Sequence, residues 1–352
     1  MGYKLMRMRK YYDVLRANKP FFKTNLMQKK KIFLNILRYF KNKGKIIIKN
    51  KPVVAQIESS SNCNLRCKMC IRPKIGLPIG NLSFENFKKI LDKLDSLFKI
   101  HLQGQGEPFM NPELFEMIEY ANKKGIVVML NTNATLLTKE NIEKICKTEI
   151  GGISISIDSV KKEKYENIRR GAKFERVLEN VKLLTSELKK KKKTTIVSFA
   201  VVILKDNFEE LEEFVDLAER LGVQRILFQT IQTKEDYIKK YDNETKKQIN
   251  IEKEKIKNKI EKIKKLGKNK KITVVFDQPK SNGCIWPWRS IYITWNGYVT
   301  PCCKILDYRK PYFGNILKQD FWEIWNGKEY QMFRKLLKQR KAPLACKGCN
   351  MV

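Results

Sequence analysis

The sequence predicts an α/β fold, a parallel sheet covered by helices, followed by a small cysteine-rich second domain. Three observations carry this. Strand-like and helix-like segments alternate from residue 53 to about 276, which is the pattern of successive βα units. The chemically unusual residues follow the strands: cysteines after the first, "GQGEP" after the second, "NTN" after the third and "IDS" at the end of the fourth. Such folds build their sites at the carboxyl ends of their strands. From 277 on, the periodicity weakens and Trp, Pro, Gly and Cys become frequent. Alternation alone fits either a barrel or an open doubly wound sheet.

The elements follow in order. "VVAQI" (53–57) reads as a buried strand. "SFENFKKILDKLDSLF" opens with Ser83, a good N-cap, and continues at helical spacing. "KIHLQ" is a strand. "NPELFEMIEYANKKG" is a helix with proline in its first turn and Gly125 at its end. The strand "IVVML", a helix over 138–147, the strand "GISISI" and the helix "FERVLENVKLLTSELKK" come next. Then follow the strand "TIVSFAVVIL", the helix "FEELEEFVDLAERLG" and the strand "RILFQ". A lysine-rich helix over roughly 243–266 carries Ile256, Ile260 and Ile263 on one face, and "ITVVF" is a last strand. These make six strand–helix units. The predicted domains are a basic helical extension over 1–50, a βα domain over 51–276 and a metal-organised domain over 277–352.

In the extension, Phe33, Ile36, Leu37 and Phe40 fall on one helical face. This helix either docks on the main domain or lies at an anionic membrane surface as a peripheral contact. The chain carries 73 Lys+Arg against 37 Asp+Glu, a formal charge of +36. That excess reads as a solvated lysine-rich surface or as the footprint of an anionic partner. No run of 18 apolar residues occurs, and the N-terminus lacks the apolar core and cleavage site of a signal peptide. The expectation is a cytoplasmic chain. Nine cysteines in a reducing compartment then point to metal or chemistry rather than to disulfides. The single histidine, His101, nearly excludes mechanisms that need a histidine pair, and it reads as a strand residue of the core. Cys146, on a helix, reads as a small core residue.

Cys63, Cys67 and Cys70 stand in a C-x3-C-x2-C spacing directly after the first strand. Three thiolates can hold three corners of a cubane and leave one iron without a protein ligand. An open position suits a catalytic metal site and is avoided by a structural one. Zinc on three cysteines and a water is the competing reading, but "NLRCKMCIRP" offers no histidine or acidic base beside it.

These residues resemble those of the radical S-adenosylmethionine (radical SAM) enzymes over about residues 52–350. "CNLRCKMC" is similar to that family's cluster loop, and "GQGEPFMNP" to its Gly-Gly-Glu motif, with Gln105 where a glycine is common. "NTNATLLT" and "SISIDS" are similar to its third- and fourth-strand signatures. The resemblance implies a partial (βα)6 TIM-like barrel with a small C-terminal iron–sulfur domain. It implies that Cys63, Cys67 and Cys70 hold a 4Fe-4S cluster whose open iron takes the amino and carboxylate groups of S-adenosyl-L-methionine. Reductive cleavage then yields a 5′-deoxyadenosyl radical that takes a hydrogen atom from the substrate. A reducing protein such as flavodoxin or ferredoxin is implied as electron donor. Glu107, with the backbone at Gly106, would receive the methionine ammonium. A glycine there lets backbone approach a ligand closely. Ser156 and Asp158 would face the ribose or carboxylate, with Asn133 and Arg169 as further contacts.

In the last region, Cys284, Cys302, Cys346 and Cys349 could close either an iron–sulfur cluster or a zinc site. "ITWNGYVTPCC" reads as a hairpin with an Asn-Gly turn. The spacing C-x12-G-x4-C with a distant C-x2-C resembles the SPASM or twitch auxiliary-cluster domain of many radical SAM enzymes. This chain lacks the later cysteines of the full pattern. The resemblance therefore implies one auxiliary 4Fe-4S cluster that assists electron transfer. Cys303 could replace Cys302, and the glycine spacing favours Cys302. Phe321, Ile324 and Trp325 read as packing residues.

Relatives with such domains act on peptides, carbohydrates or aminocyclitols, and a membrane-surface enzyme acting on a lipid or lipid-linked glycan is the alternative. The N-terminal 50 residues look too short and too basic for a fused peptide-recognition domain. A zinc-containing nucleic-acid-binding protein is the competing class. Six βα units with Glu107 at their mouth argue against it.

Overall fold

The computed structural model describes residues 18–231, 234–249, 251–277 and 283–349. Residues 1–17 of the expected extension lie outside them. Nine strands form one sheet in the order β7-β6-β5-β4-β3-β2-β1-β8-β9. They are β1 Val54–Ile57, β2 Lys99–Leu102, β3 Val127–Thr132, β4 Ile150–Ser156, β5 Ile196–Ile203, β6 Arg225–Thr230, β7 Thr273–Phe276, β8 Ser290–Ile293 and β9 Val299–Thr300. The first seven strands neighbour each other in chain order, and every pair from β7 to β8 is parallel. The α/β class with a parallel, helix-covered sheet is what alternation predicts.

Local chemistry fixes the helix starts. Ser83 caps Phe84–Lys93 by accepting from Asn86 N, and Thr138 caps Lys139–Lys147 by accepting from Asn141 N. The apolar faces of these and the following helices bury Phe87, Ile90, Met117, Val181 and Phe214 against the sheet. Two boundaries differ from the sequence reading. A 3-10 turn, Pro108–Met110, precedes the helix Leu114–Lys123, so the predicted first turn is a loop. The lysine-rich segment forms two helices, Asn243–Ile249 and Lys253–Asn269, separated by extended backbone at Glu252. Ile256, Ile260 and Ile263 are buried as the spacing requires.

The C-terminal region joins the same sheet. β8 lies against β1 in register Val54 to Ser290, and β9 returns antiparallel. The predicted hairpin is present, with Gly297 at φ +85° in its turn. Phe321, Ile324 and Trp325 pack in the core as expected. Trp325 Nε1 donates to Asn50 O, and Arg334 donates to Pro287 O and Ile46 O. These bonds tie the segment before β1 to the last helices.

The helix Leu26–Asn42 docks on the fold, but through a face rotated from the predicted one. Ile32, Asn35 and Tyr39 are buried, while Phe33, Leu37 and Phe40 are 56%, 42% and 67% exposed. Asn35 decides the rotation: its amide bonds Lys51 in both directions.

Candidate active site and metal centres

The loop carrying Cys63, Cys67 and Cys70 leaves the carboxyl end of β1. Arg66 N donates to Arg170 O and Lys68 N to Ile168 O, so the loop lies ladder-like on residues 168–170. Cys70 N closes onto Cys67 O at 3.1 Å. The three cysteines are partly buried, free of disulfides and in electrostatic reach of each other. Burial pushes the Cys67 thiol up to about 11 and raises that of Cys63. Such thiols ionise only beside positive charge. Arg169 supplies some: its Nη1 is 3.9 Å from Cys67 Sγ.

Against this loop presses the segment after β2. Glu107 N donates to Asn62 O at 2.7 Å. A Cβ on Gly106 would stand 2.3 Å from Asn62 O and 2.5 Å from Ser60 O. The close approach that demands glycine there is to the chain's own cluster loop. Glu107 is 2% exposed. Its carboxylate accepts from Thr132 Oγ1 at 2.6 Å and Asn133 N at 2.7 Å. Burial outweighs these bonds and pushes it up to about 7. Asn133 Nδ2 donates to Asn64 Oδ1 at 2.9 Å, joining the end of β3 to the cluster loop.

Asp158 is fully buried. It accepts from Val202 N and pairs with Arg169 Nη2 at 2.7 Å. Asp158 therefore reaches the cysteines through Arg169. Its own carboxylate faces no open surface. Ser156 is half-buried on β4 and accepts from Asn131 Nδ2 at 3.4 Å. His101, on β2, is partly buried and kept neutral, its basicity lowered to about 4 by burial.

Three residues escaped the sequence reading. Glu58, just past β1, is buried and pushed up to about 7 by burial. It accepts from Gln105 N at 2.7 Å, Tyr292 OH at 3.3 Å and Trp295 N at 3.3 Å. An acidic residue at the carboxyl end of a buried strand was the available signal. Arg72 donates to Ser61 O at 3.1 Å. Glu58, Arg72, Gln105, Trp295 and Tyr308 line a narrow cleft between the cluster loop and the C-terminal hairpin. The third residue, Lys234, is 4% exposed after β6. It stands in electrostatic reach of Cys302, Cys346 and Cys349.

At the second centre, Cys284 precedes the short helix Trp286–Arg289, and Cys302 follows β9. Cys346 ends a 3-10 turn, and Cys349 N closes onto its carbonyl at 2.8 Å, as Cys70 does on Cys67. Cys302 is in reach of Cys346 and Cys284, and Cys284 of Cys349. Cys303 neighbours Cys284 and Asp277. Burial raises the thiols of Cys284, Cys302, Cys303 and Cys346, the last to about 12.

Comparison with known proteins decides the family. The model of the radical SAM superfamily matches residues 57–218, and that of an iron-sulfur cluster-binding domain, SPASM, matches 284–350. The chain belongs to the radical SAM superfamily. It is 26% identical over 320 residues to a tungsten-containing aldehyde ferredoxin oxidoreductase cofactor-modifying protein of Pyrococcus furiosus, covering 84% of this chain and 86% of that one. It is 29% identical over 329 residues to an AdoMet-dependent heme synthase of Methanosarcina barkeri, covering 87% and 90%. SuiB of Streptococcus suis, solved with S-adenosylmethionine, shares the fold at a TM-score of 0.69 and 17% identity, over 90% of this chain and 76% of that one.

A radical SAM enzyme carries a 4Fe-4S cluster and S-adenosylmethionine, and a SPASM domain adds iron–sulfur chemistry. The donor sets fit these groups. Each is made of soft thiols, which suit iron–sulfur clusters. A buried cation, Arg169 or Lys234, stands beside each set. Among the described residues no helix is long and apolar enough to cross a membrane.

Proposed function

We propose that Cys63, Cys67 and Cys70 hold the SAM-binding cluster and that Cys284, Cys302, Cys346 and Cys349 hold one auxiliary cluster. The observation that carries this is the three-thiol loop pressed against a buried carboxylate, with a separate four-cysteine set behind the hairpin. Held by these residues, the first cluster would supply one-electron reductive chemistry toward S-adenosylmethionine, with the electron coming from an external reductant, and the auxiliary cluster would supply a further electron-transfer centre. Glu107 receives the ammonium of the methionine moiety, with Asn133 holding the loop that presents it. Arg169, positioned by Asp158, balances the negative charge gathered at Cys67. Ser156 faces the ribose from β4.

The narrow cleft beside Glu58, about 10 Å³, has room for one small polar group of a substrate and not for the whole of it. Arg72 Nε, a donor, and Gln105 Oε1, an acceptor, are both buried there without a partner. A donor next to an acceptor matches a group that both accepts and donates, such as a peptide amide, whereas an ionised carboxylate could satisfy only Arg72. The names of the two relatives, one for modifying a cofactor and one for heme synthesis, support a cofactor precursor as the other candidate class. The test is anaerobic reconstitution, then 5′-deoxyadenosine measured with S-adenosylmethionine and a reductant. Turnover supports the reading, and its absence from fully iron-loaded protein removes it.

A second reading concerns location. The exposed Phe33, Leu37 and Phe40, flanked by Lys29, Lys30 and Lys41, form an amphipathic basic face suited to an anionic lipid surface.

A further inference from the structure

We infer that Lys234 sets the reduction potential of the auxiliary cluster, a proposal that rests on the four-cysteine assignment above. Lys234 leads from β6 into the helix Glu235–Ile238, so it belongs to the βα part of the chain and not to the cysteine-rich region. Its side chain is 4% exposed. The ammonium donates to Lys304 O at 3.3 Å and stands 4.8 Å from the centroid of the Tyr237 ring. Among the described residues it makes no ion pair with a carboxylate. The neighbouring Glu235 is turned away from it, to Lys239 and Lys347. In electrostatic reach of the ammonium are the sulfurs of Cys302, Cys346 and Cys349 together with the carboxylate of Asp236, and Cys302 and Cys346 act on it more strongly than Asp236 does.

A buried cation with no carboxylate in direct contact is costly, and burial alone lowers the basicity of Lys234. A four-iron cluster on four thiolates is an anion beside it. Its net negative charge grows by one on reduction, so a fixed cation beside it favours the reduced form. Net charge and nearby groups are among the protein's levers on such potentials. The backbone holds the cation in place: Glu235 N donates to Lys347 O at 3.2 Å, between Cys346 and Cys349. Tyr237 accepts from Leu306 N, just beyond Cys302. The same segment therefore braces both halves of the cysteine set and brings the charge to it. Lys234 acts through the cluster and touches no substrate. It is a positioning charge on the electron path.

The test is a redox titration of reconstituted holoenzyme, followed by electron paramagnetic resonance, for wild type, Lys234→Met, Lys234→Gln and Lys234→Arg. Iron is counted first. In Met and Gln the auxiliary midpoint moves negative, with about a tenfold fall in the reduction equilibrium, about 59 mV for one electron. Arg restores it, and the SAM-binding cluster does not move in any variant. Loaded Met or Gln protein with an unmoved auxiliary midpoint overturns the proposal, as does an Arg variant shifted as far as Met. Wild type that binds only one cluster overturns the four-cysteine assignment itself, and Lys234 falls with it.

Discussion

Arg169 bridges Asp158 and Cys67, with Nη2 2.7 Å from the carboxylate and Nη1 3.9 Å from the sulfur. Both ends of the ion pair are buried. Breaking such a pair from one side costs about 3–5 kcal/mol, whereas replacing both partners with apolar groups is often neutral. Asp158→Asn is expected to lower stability by that amount in urea titrations, and Asp158→Leu with Arg169→Met to recover most of it. An Asp158→Asn protein within about 1 kcal/mol of wild type contradicts this role for the pair.

Glu107 gives a pH signature. Its folded value of about 7 lies above its ordinary 4.5. The native state therefore binds the extra proton between those values. This contribution to stability is fully present below about 4.5 and lost as pH rises through about 7. Ligand binding runs the other way, because only the ionised carboxylate attracts an ammonium. Affinity for S-adenosylmethionine rises between pH 6 and 8, on the order of tenfold if one unit of proton competition is removed. Glu58 titrates in the same range, so Glu58→Gln serves as background. Calorimetry across pH that gives Glu107→Gln the wild-type slope speaks against the assignment.

Cys302 and Cys303 separate by iron content. Cys303→Ala is expected to keep about eight irons per chain, two four-iron clusters, and Cys302→Ala about four. The reverse result exchanges the two cysteines.

The helix Leu26–Asn42 makes a surface prediction. Phe33→Ser with Phe40→Ser leaves the fold intact, since both side chains are exposed. It is expected to lower co-sedimentation with vesicles containing anionic phosphatidylserine several-fold, with little effect on neutral phosphatidylcholine. Equal sedimentation of wild type and variant removes the membrane reading.

The strands, their alternation with helices and the three-cysteine loop were legible because each is written locally, whereas alternation left the strand order open between a barrel and a doubly wound sheet. A buried strand is an apolar run, a cap is one serine, and the hairpin turn is Asn296-Gly297. The parallel pairing of β8 with β1 was not, because its partners are more than 200 residues apart in sequence and no local signal marks them. Helical spacing found the apolar stripe of Leu26–Asn42 and missed the docked face, which a polar residue, Asn35, decides. Lys234 was hidden by composition, since one buried lysine among so many solvated ones carries no pattern. Asp158 was found, but its burial turned a presumed ligand contact into a support for Arg169.

The central claim is that the three-cysteine cluster keeps one iron open for the cosubstrate. Its most direct test is electron paramagnetic resonance of the reduced variant Cys284→Ala with Cys346→Ala, recorded before and after S-adenosylmethionine. The account predicts about four irons per chain and a spectrum that shifts when the cosubstrate is added. Zinc in place of iron, or a four-iron signal that S-adenosylmethionine leaves unchanged, would contradict it.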